Sequence, residues 1–231
     1  MIGVYDYTVI LTYLSLLSAC TGIAVSLSGG GHPYWGMFAL LLCGLFDAFD
    51  GRVARTKKVR TEIVRNFGIQ IDSLSDLVAF GVLPACIGIA MLWRSAFFKD
   101  KVYIPEKTIL SLSTSIILYA VLIFYVLTAM IRLAYFNVTE EERQRTEATT
   151  RHTYTGLPVT SACLIFPLVM VLDYEFQADF TPVYFVAIAL TGFAFVSKIQ
   201  VPKPGLRGIL VLCGIGVAEC VLLILKLIFW K

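Results

Sequence analysis

Apolar residues in this chain gather into runs of roughly 17–28, each long enough to cross the hydrocarbon core of a bilayer. A lipid core offers no water to backbone N–H and C=O groups, so a chain built from such runs spans as helices that close their own hydrogen bonds. Seven spans are expected, at about 8–27, 34–51, 69–92, 108–135, 156–173, 181–197 and 207–230. Charged residues make up 15% of the chain, against about a quarter in a soluble domain. The fold class is therefore all-α: a polytopic transmembrane helical bundle, with residues 1–231 forming one integral-membrane domain. A net charge of +3 is too small and too local to indicate a nucleic-acid partner.

The six cysteines lie inside apolar runs without a C-x-x-C pair, where cysteine acts as a small hydrophobe. With two histidines, His32 and His152, a histidine-based metal site lacks ligands. Leu17-Ser18-Ala19-Cys20 has the form of a lipoprotein cleavage box, but residues 1–7 carry Asp6 and no basic residue. A signal peptide needs a basic start, so the first run is expected to be a true span. Gly29-Gly30-Gly31 is followed by no G-K-[ST] and is expected to be a turn.

Three connecting regions are basic: 52–68, Arg132 to Arg151, and 198–207. With alternating spans all three fall on one side, which collects 13 of the 19 basic residues. The positive-inside rule makes that side cytoplasmic and puts the N-terminus inside. The 94–107 link, with four basic residues, is expected outside. The chain is expected in the cell membrane, with lipid around the bundle.

Four acids break the apolar pattern. Asp47 and Asp50 end one run, i and i+3, and Asp72 and Asp76 begin the next, i and i+4, so each pair shares a helix face. The midpoint of 50 and 72 is 61, and that of 47 and 76 is 61.5. A hairpin turning near 61 would bring all four to similar depth, about 16 Å of helix from the tip for Asp50 and Asp72. Ionisable groups at such depth are costly and mark function. Divalent cations with all-oxygen ligands would relieve the repulsion, and four carboxylates could bridge two ions. Helix-end carboxylates paired with nearby arginines are the alternative. Gly51, Ala54 and Arg55 continue the Asp47/Asp50 face, and Gly68 precedes Asp72 by one turn. Small residues admit a bulky ligand, and Arg55 can fork onto phosphate.

Asp47-x-x-Asp50-Gly51-x-x-Ala54-Arg55 followed by Gly68-x-x-x-Asp72-x-x-x-Asp76 resembles the signature of the CDP-alcohol phosphotransferases. All eight defined positions are present, although the stretch between Arg55 and Gly68 is about one helical turn longer than usual for the family. The resemblance implies a six-helix core, here with an added C-terminal span, and two divalent cations, Mg²⁺ or Mn²⁺, on Asp47, Asp50, Asp72 and Asp76. It implies that a hydroxyl attacks the β-phosphorus of a CDP-alcohol, that CMP leaves, and that Asp76 is the base. Gly51, Ala54, Arg55 and Gly68 would face the CDP-alcohol.

Ser73 and Leu77 beside the last two aspartates, Phe80-Gly81-x-x-Pro84, Arg132-Leu133-Ala134-x-Phe136-Asn137 and Thr155-Gly156-Leu157-Pro158 are similar to the serine-transferring branch. The expected substrates are CDP-diacylglycerol and L-serine. The expected acceptor residues are Arg132, Asn137 and Arg151, and a homodimer is expected. Inositol 1-phosphate or glycerol 3-phosphate is the alternative acceptor. A transporter would be expected to carry repeated halves or broken helices, and neither is visible. No Ser or Cys beside a His offers a covalent route. Glu219, deep in the last run, is given no role.

Overall fold

The computed structural model describes residues 3–29, 31–57, 61–98, 109–146, 153–176, 178–202 and 206–229. They form helices α1 (Ile10–Ser26), α2 (Pro33–Thr56), α3 (Glu62–Asp76), α4 (Leu83–Arg94), α5 (Ile109–Thr146), α6 (Ala162–Phe176), α7 (Thr181–Val196) and α8 (Leu206–Phe229). Strands β1 (Thr153–Thr155) and β2 (Gln200–Pro202) pair antiparallel, Tyr154 opposite Val201. Three stretches, Tyr7–Ser26, Glu62–Arg94 and Ser113–Arg143, are long and apolar enough to cross a membrane, with further apolar helices at Val159–Asp173, Thr181–Val196 and Leu210–Leu225. The protein is an integral membrane helical bundle.

Helix limits differ from the expected spans where local chemistry extends them. Pro33 opens α2 with a fixed φ and no N–H to satisfy. Thr61 caps α3, its Oγ1 accepting from the Val64 N–H, with Glu62 in the first turn. The expected 69–92 span therefore begins at 62. The long spacing between Arg55 and Gly68 is absorbed as helix, with α2 running to Thr56 and α3 starting at Glu62. The fourth span runs eleven residues past its expected end at 135, because Glu140–Arg143 and Glu141–Arg145 pair at i,i+3 and i,i+4 (2.5 and 2.6 Å). The expected 156–173 span loses its start to Gly156-Leu157-Pro158, which link β1 to a 3-10 turn at Val159–Ser161 that leads into α6.

Between α3 and α4 the rod does not stop. Leu77–Val82 form a wider, π-type turn in which the Leu83 N–H bonds to the Val78 carbonyl five residues back.

The core is built on Tyr125, Phe166, Tyr184 and Phe195, all fully buried and in ring contact at 5.2–5.6 Å between successive centroids. Their hydroxyls do not go unpaired: Tyr125 donates to the Phe80 carbonyl (2.6 Å) and Tyr184 to the Pro84 carbonyl (2.7 Å). α2 sits against α1, α4 and α6. A Cβ on Gly36 would meet Ser26 and Ile87, and one on Gly44 would collide with Cys163. These glycines set how closely the helices approach.

The two ends of the bundle are distinct. At one, Asp6 pairs with Lys57, the Tyr7 hydroxyl meets Thr56 Oγ1 at 3.3 Å, and the β1–β2 ribbon closes over α7. At the other, Arg94 bonds to the Gly31 carbonyl (3.3 Å), Tyr34 to Asp173 (3.0 Å) and Ser95 to Asp179 (2.5 Å). The links expected outside are thus fastened to each other, and the N-terminal segment lies with the α2–α3 tip.

Candidate functional site

Asp47 and Asp50 project from the last turns of α2, and Asp72 projects from α3 as it returns. One carboxylate oxygen from each of these three lies within 4.8 Å of the others. Asp76 stands outside that trio. It is one turn further along α3, buried at 9% exposure, and ends the regular helix where the wide turn begins. The hairpin symmetry thus unites three of the four aspartates at one point and sets the fourth beneath them.

No lysine or arginine lies within ion-pair distance of these four carboxylates among the described residues. Unpaired carboxylates converging in a bundle repel strongly in a low dielectric. The arginine-paired alternative is therefore not what the described residues form. Hard oxygen donors without a cationic side chain suit a divalent cation, and the acidic cluster can hold a metal ion.

The glycines flanking the cluster face space. A Cβ on Gly68 would meet nothing within 4 Å, and one on Gly51 would meet only the Arg55 guanidinium, at 3.7–3.8 Å. Arg55 is exposed and folds back over Gly51, one turn from Asp47. Ala54 is half-buried on the same helix. A carboxylate cluster with two open glycine faces on its helices and the exposed Arg55 guanidinium over one of them fits a charged ligand that needs room.

Of the expected acceptor residues, Arg132 and Asn137 both stand on α5. Arg132 is buried at 6% exposure, with its guanidinium carbon 5.1 Å from the Phe136 ring centroid. Gly156 lies against it: a Cβ there would stand 3.5 Å from Arg132 Nε and 2.6 Å from the Phe195 carbonyl. With φ of +79° and its N–H bonded to the Ile199 carbonyl at 2.8 Å, position 156 requires glycine. Two sequence-distant motifs therefore meet at Arg132. Asn137 instead donates to Ser73 Oγ at 2.7 Å, beside Asp72. Arg151 lies outside the described residues.

Two supporting residues fall outside the set of site residues expected from sequence. Ser73, in sequence only a marker of the serine-transferring branch, ties α5 to α3. Ser75 donates to the Thr12 carbonyl at 3.2 Å and ties α3 to α1. The signal for both is a hydroxyl beside each of the two α3 aspartates, Ser73 after Asp72 and Ser75 before Asp76.

The family model described as CDP-alcohol phosphatidyltransferase matches residues 8–199. Curated relatives include a CDP-diacylglycerol–serine O-phosphatidyltransferase of Helicobacter pylori (strain ATCC 700392 / 26695), 32% identical over 162 residues, covering 69% of this chain and 56% of that protein. The Saccharomyces cerevisiae protein of the same name is 30% identical over 217 residues, covering 83% of this chain and 70% of that one. An archaetidylserine synthase of Methanothermobacter thermautotrophicus is 44% identical over 75 residues, 32% of this chain and 31% of that protein. The chain spans a little over half the length of the Helicobacter relative it matches. Matched over most of its length, with the aspartates in the later turns of α2 and the last turns of α3, the chain belongs to the CDP-alcohol phosphatidyltransferase family.

Proposed function

We propose that the chain transfers a phosphatidyl group from CDP-diacylglycerol to the hydroxyl of L-serine, releasing CMP. The observation that carries this reading is the meeting of three carboxylate oxygens within 4.8 Å beside two glycines whose faces are open. Relatives named for serine transfer support the acceptor, and the name archaetidylserine synthase shares serine while differing in lipid.

Asp47, Asp50, Asp72 and Asp76 would hold two divalent cations, Mg²⁺ or Mn²⁺. When bound, such cations neutralise the pyrophosphate and the charge that grows on the leaving phosphate. Arg55 presents a planar fork to a phosphate oxygen. Gly51, Ala54 and Gly68 leave the backbone open to the cytidine diphosphate. Asp76 takes the proton of the serine hydroxyl as its oxygen bonds to the β-phosphorus. The bond from that phosphorus to the CMP oxygen breaks, and CMP carries away the electron pair. A positioned base contributes about 10²–10⁴-fold. Arg132 pairs with the serine carboxylate, with Arg151 as a further acceptor residue, while Asn137, expected beside them, acts through the Ser73 hydroxyl next to Asp72.

The proposal includes an orientation. The aspartates, the α2–α3 tip and the N-terminal segment share the end of the bundle whose links carry most of the basic residues, and the positive-inside rule places that end in the cytoplasm. It also includes a homodimer, expected from sequence; crosslinking in native membranes tests it.

The deciding experiment offers purified protein CDP-diacylglycerol with serine, glycerol 3-phosphate or inositol 1-phosphate separately and identifies the lipid formed. Phosphatidylserine is the expected product. Exclusive use of a phosphorylated acceptor would overturn the serine assignment.

A further inference from the structure

The wide turn at Leu77–Val82 begins at the residue after Asp76, and the sequence explains why the helix opens there. Pro84 has no N–H to return to the carbonyl of Phe80, four residues before it, and its ring crowds that carbonyl in a regular helix. A π-type turn adds a residue to the circuit and relieves the crowding. The Phe80 carbonyl is left needing a donor. The Tyr125 hydroxyl supplies one at 2.6 Å, from a side chain that is 0% exposed and held between the Phe166 and Phe195 rings. One added residue rotates the downstream helix by about 100° relative to the upstream one, from the 3.6-residue turn. The wide turn thus lets Asp72 and Asp76 keep their face toward α2 while Phe80, Leu83 and Ile87 enter the core.

α5 meets this stretch through two hydrogen bonds and one close contact. Asn137 holds Ser73 and Tyr125 holds Phe80, with Gly81 close against Ala129, where a Cβ would stand 3.3 Å from that methyl. α1 holds Ser75 from the other side. Asp76 is bracketed at 73, 75 and 80 by fixed hydrogen bonds.

We propose that Tyr125 is a positioning residue: by donating to the Phe80 carbonyl it fixes the wide turn that sets Asp76 at its angle beneath the Asp47–Asp50–Asp72 trio. The role rests on the phosphatidyl-transfer function proposed for the chain. In Tyr125→Phe the ring and its packing stay and the donor is lost. Misplacing a reacting group by about 1 Å can cost 10²-fold, so kcat should fall about 10- to 100-fold while the KM for CDP-diacylglycerol is unchanged. Adding Pro84→Ala to Tyr125→Phe restores an N–H for the Phe80 carbonyl and lets the turn relax to a regular helix. The double variant should recover Tm but not kcat. A Tyr125→Phe enzyme with wild-type kcat, or a double variant that regains kcat together with Tm, overturns the proposal, because the bond would then merely satisfy a carbonyl. A wild type inactive with every acceptor defeats the functional reading instead. The Mn²⁺ concentration giving half-maximal thermal stabilisation, measured without substrate, then decides the matter. It should rise in Tyr125→Phe, and a midpoint equal to wild type overturns the proposal.

Discussion

The Asn137 side-chain amide donates to Ser73 Oγ at 2.7 Å, binding the membrane-exit end of α5 to the residue next to Asp72. Sequence placed Asn137 in the acceptor site; its amide nitrogen is committed to the helix that carries the aspartates. Asn137→Ala and Ser73→Ala should therefore give the same phenotype, and the double variant should be no worse than either single one. A double-mutant cycle on Tm should return a coupling of about 0.5–1.5 kcal/mol, the net worth of one hydrogen bond. Strictly additive losses would separate the two residues.

Asp47→Asn and Asp72→Asn should each abolish transfer and remove most of the thermal stabilisation that Mg²⁺ or Mn²⁺ confers on the wild type. EDTA should do the same to wild type, reversibly. Full turnover in EDTA would eliminate metal from the reaction.

Asp76→Asn and Arg132→Ala should fail differently. The first should lower kcat by about 10²–10⁴-fold with donor binding retained. The second should raise the serine KM about 10- to 150-fold, from the roughly 1.5–3 kcal/mol of a charge-assisted hydrogen bond. Arg132→Lys should recover part of this, since it keeps the charge without the fork. Gly156→Ala should mimic Arg132→Ala and also lower Tm, because φ of +79° strains any side chain there by about 1–3 kcal/mol. An unchanged serine KM in Arg132→Ala would move the search to Arg151.

A cysteine at Ile63, which is 79% exposed near the α2–α3 tip, should react with an impermeant thiol reagent in inside-out vesicles and not in intact cells. Labelling in intact cells would reverse the topology.

At the opposite end of the bundle, burial disfavours the Asp179 carboxylate, but Ser95 Oγ and the Phe97 and Thr181 N–H groups outweigh it and hold its pKa below the usual carboxylate value. A lowered carboxylate stabilises the fold above its unfolded pKa of about 3.9, and that contribution is lost as pH falls through the lower folded value. Asp179→Ala should therefore lower Tm at neutral pH, and its gap from wild type should close under acid. A gap independent of pH would mean that packing alone is at stake.

Much of the site was readable because helical periodicity and hairpin symmetry are both arithmetic. The i,i+3 and i,i+4 aspartates mirrored about residue 61 lead directly to the 4.8 Å trio. What hydropathy could not give was the change of pitch after Asp76, which alters no residue's polarity; Pro84 was its visible cause. The length of α5 was hidden for a related reason. Glu140, Glu141, Arg143 and Arg145 look like a loop to a polarity scale and like two intrahelical ion pairs to a spacing rule. The β1–β2 ribbon, three residues a side, is fixed by pairing between segments 45 or more positions apart, which no local pattern records.

The close seating of α1 on α2 has a consequence for how the protein is made. Ser18 bonds to the Ala39 carbonyl at 3.1 Å, Cys43 to the Ser15 carbonyl at 3.3 Å, and Gly36 lies against Ser26. Every partner in that interface is translated before Asp72 and leaves the ribosome ahead of it, and chains acquire structure from the N-terminal side during synthesis. Asp47 and Asp50 are thus carried on a helix already braced in the bilayer when α3 arrives. The order of synthesis hands the later helix a half-built template on which to dock.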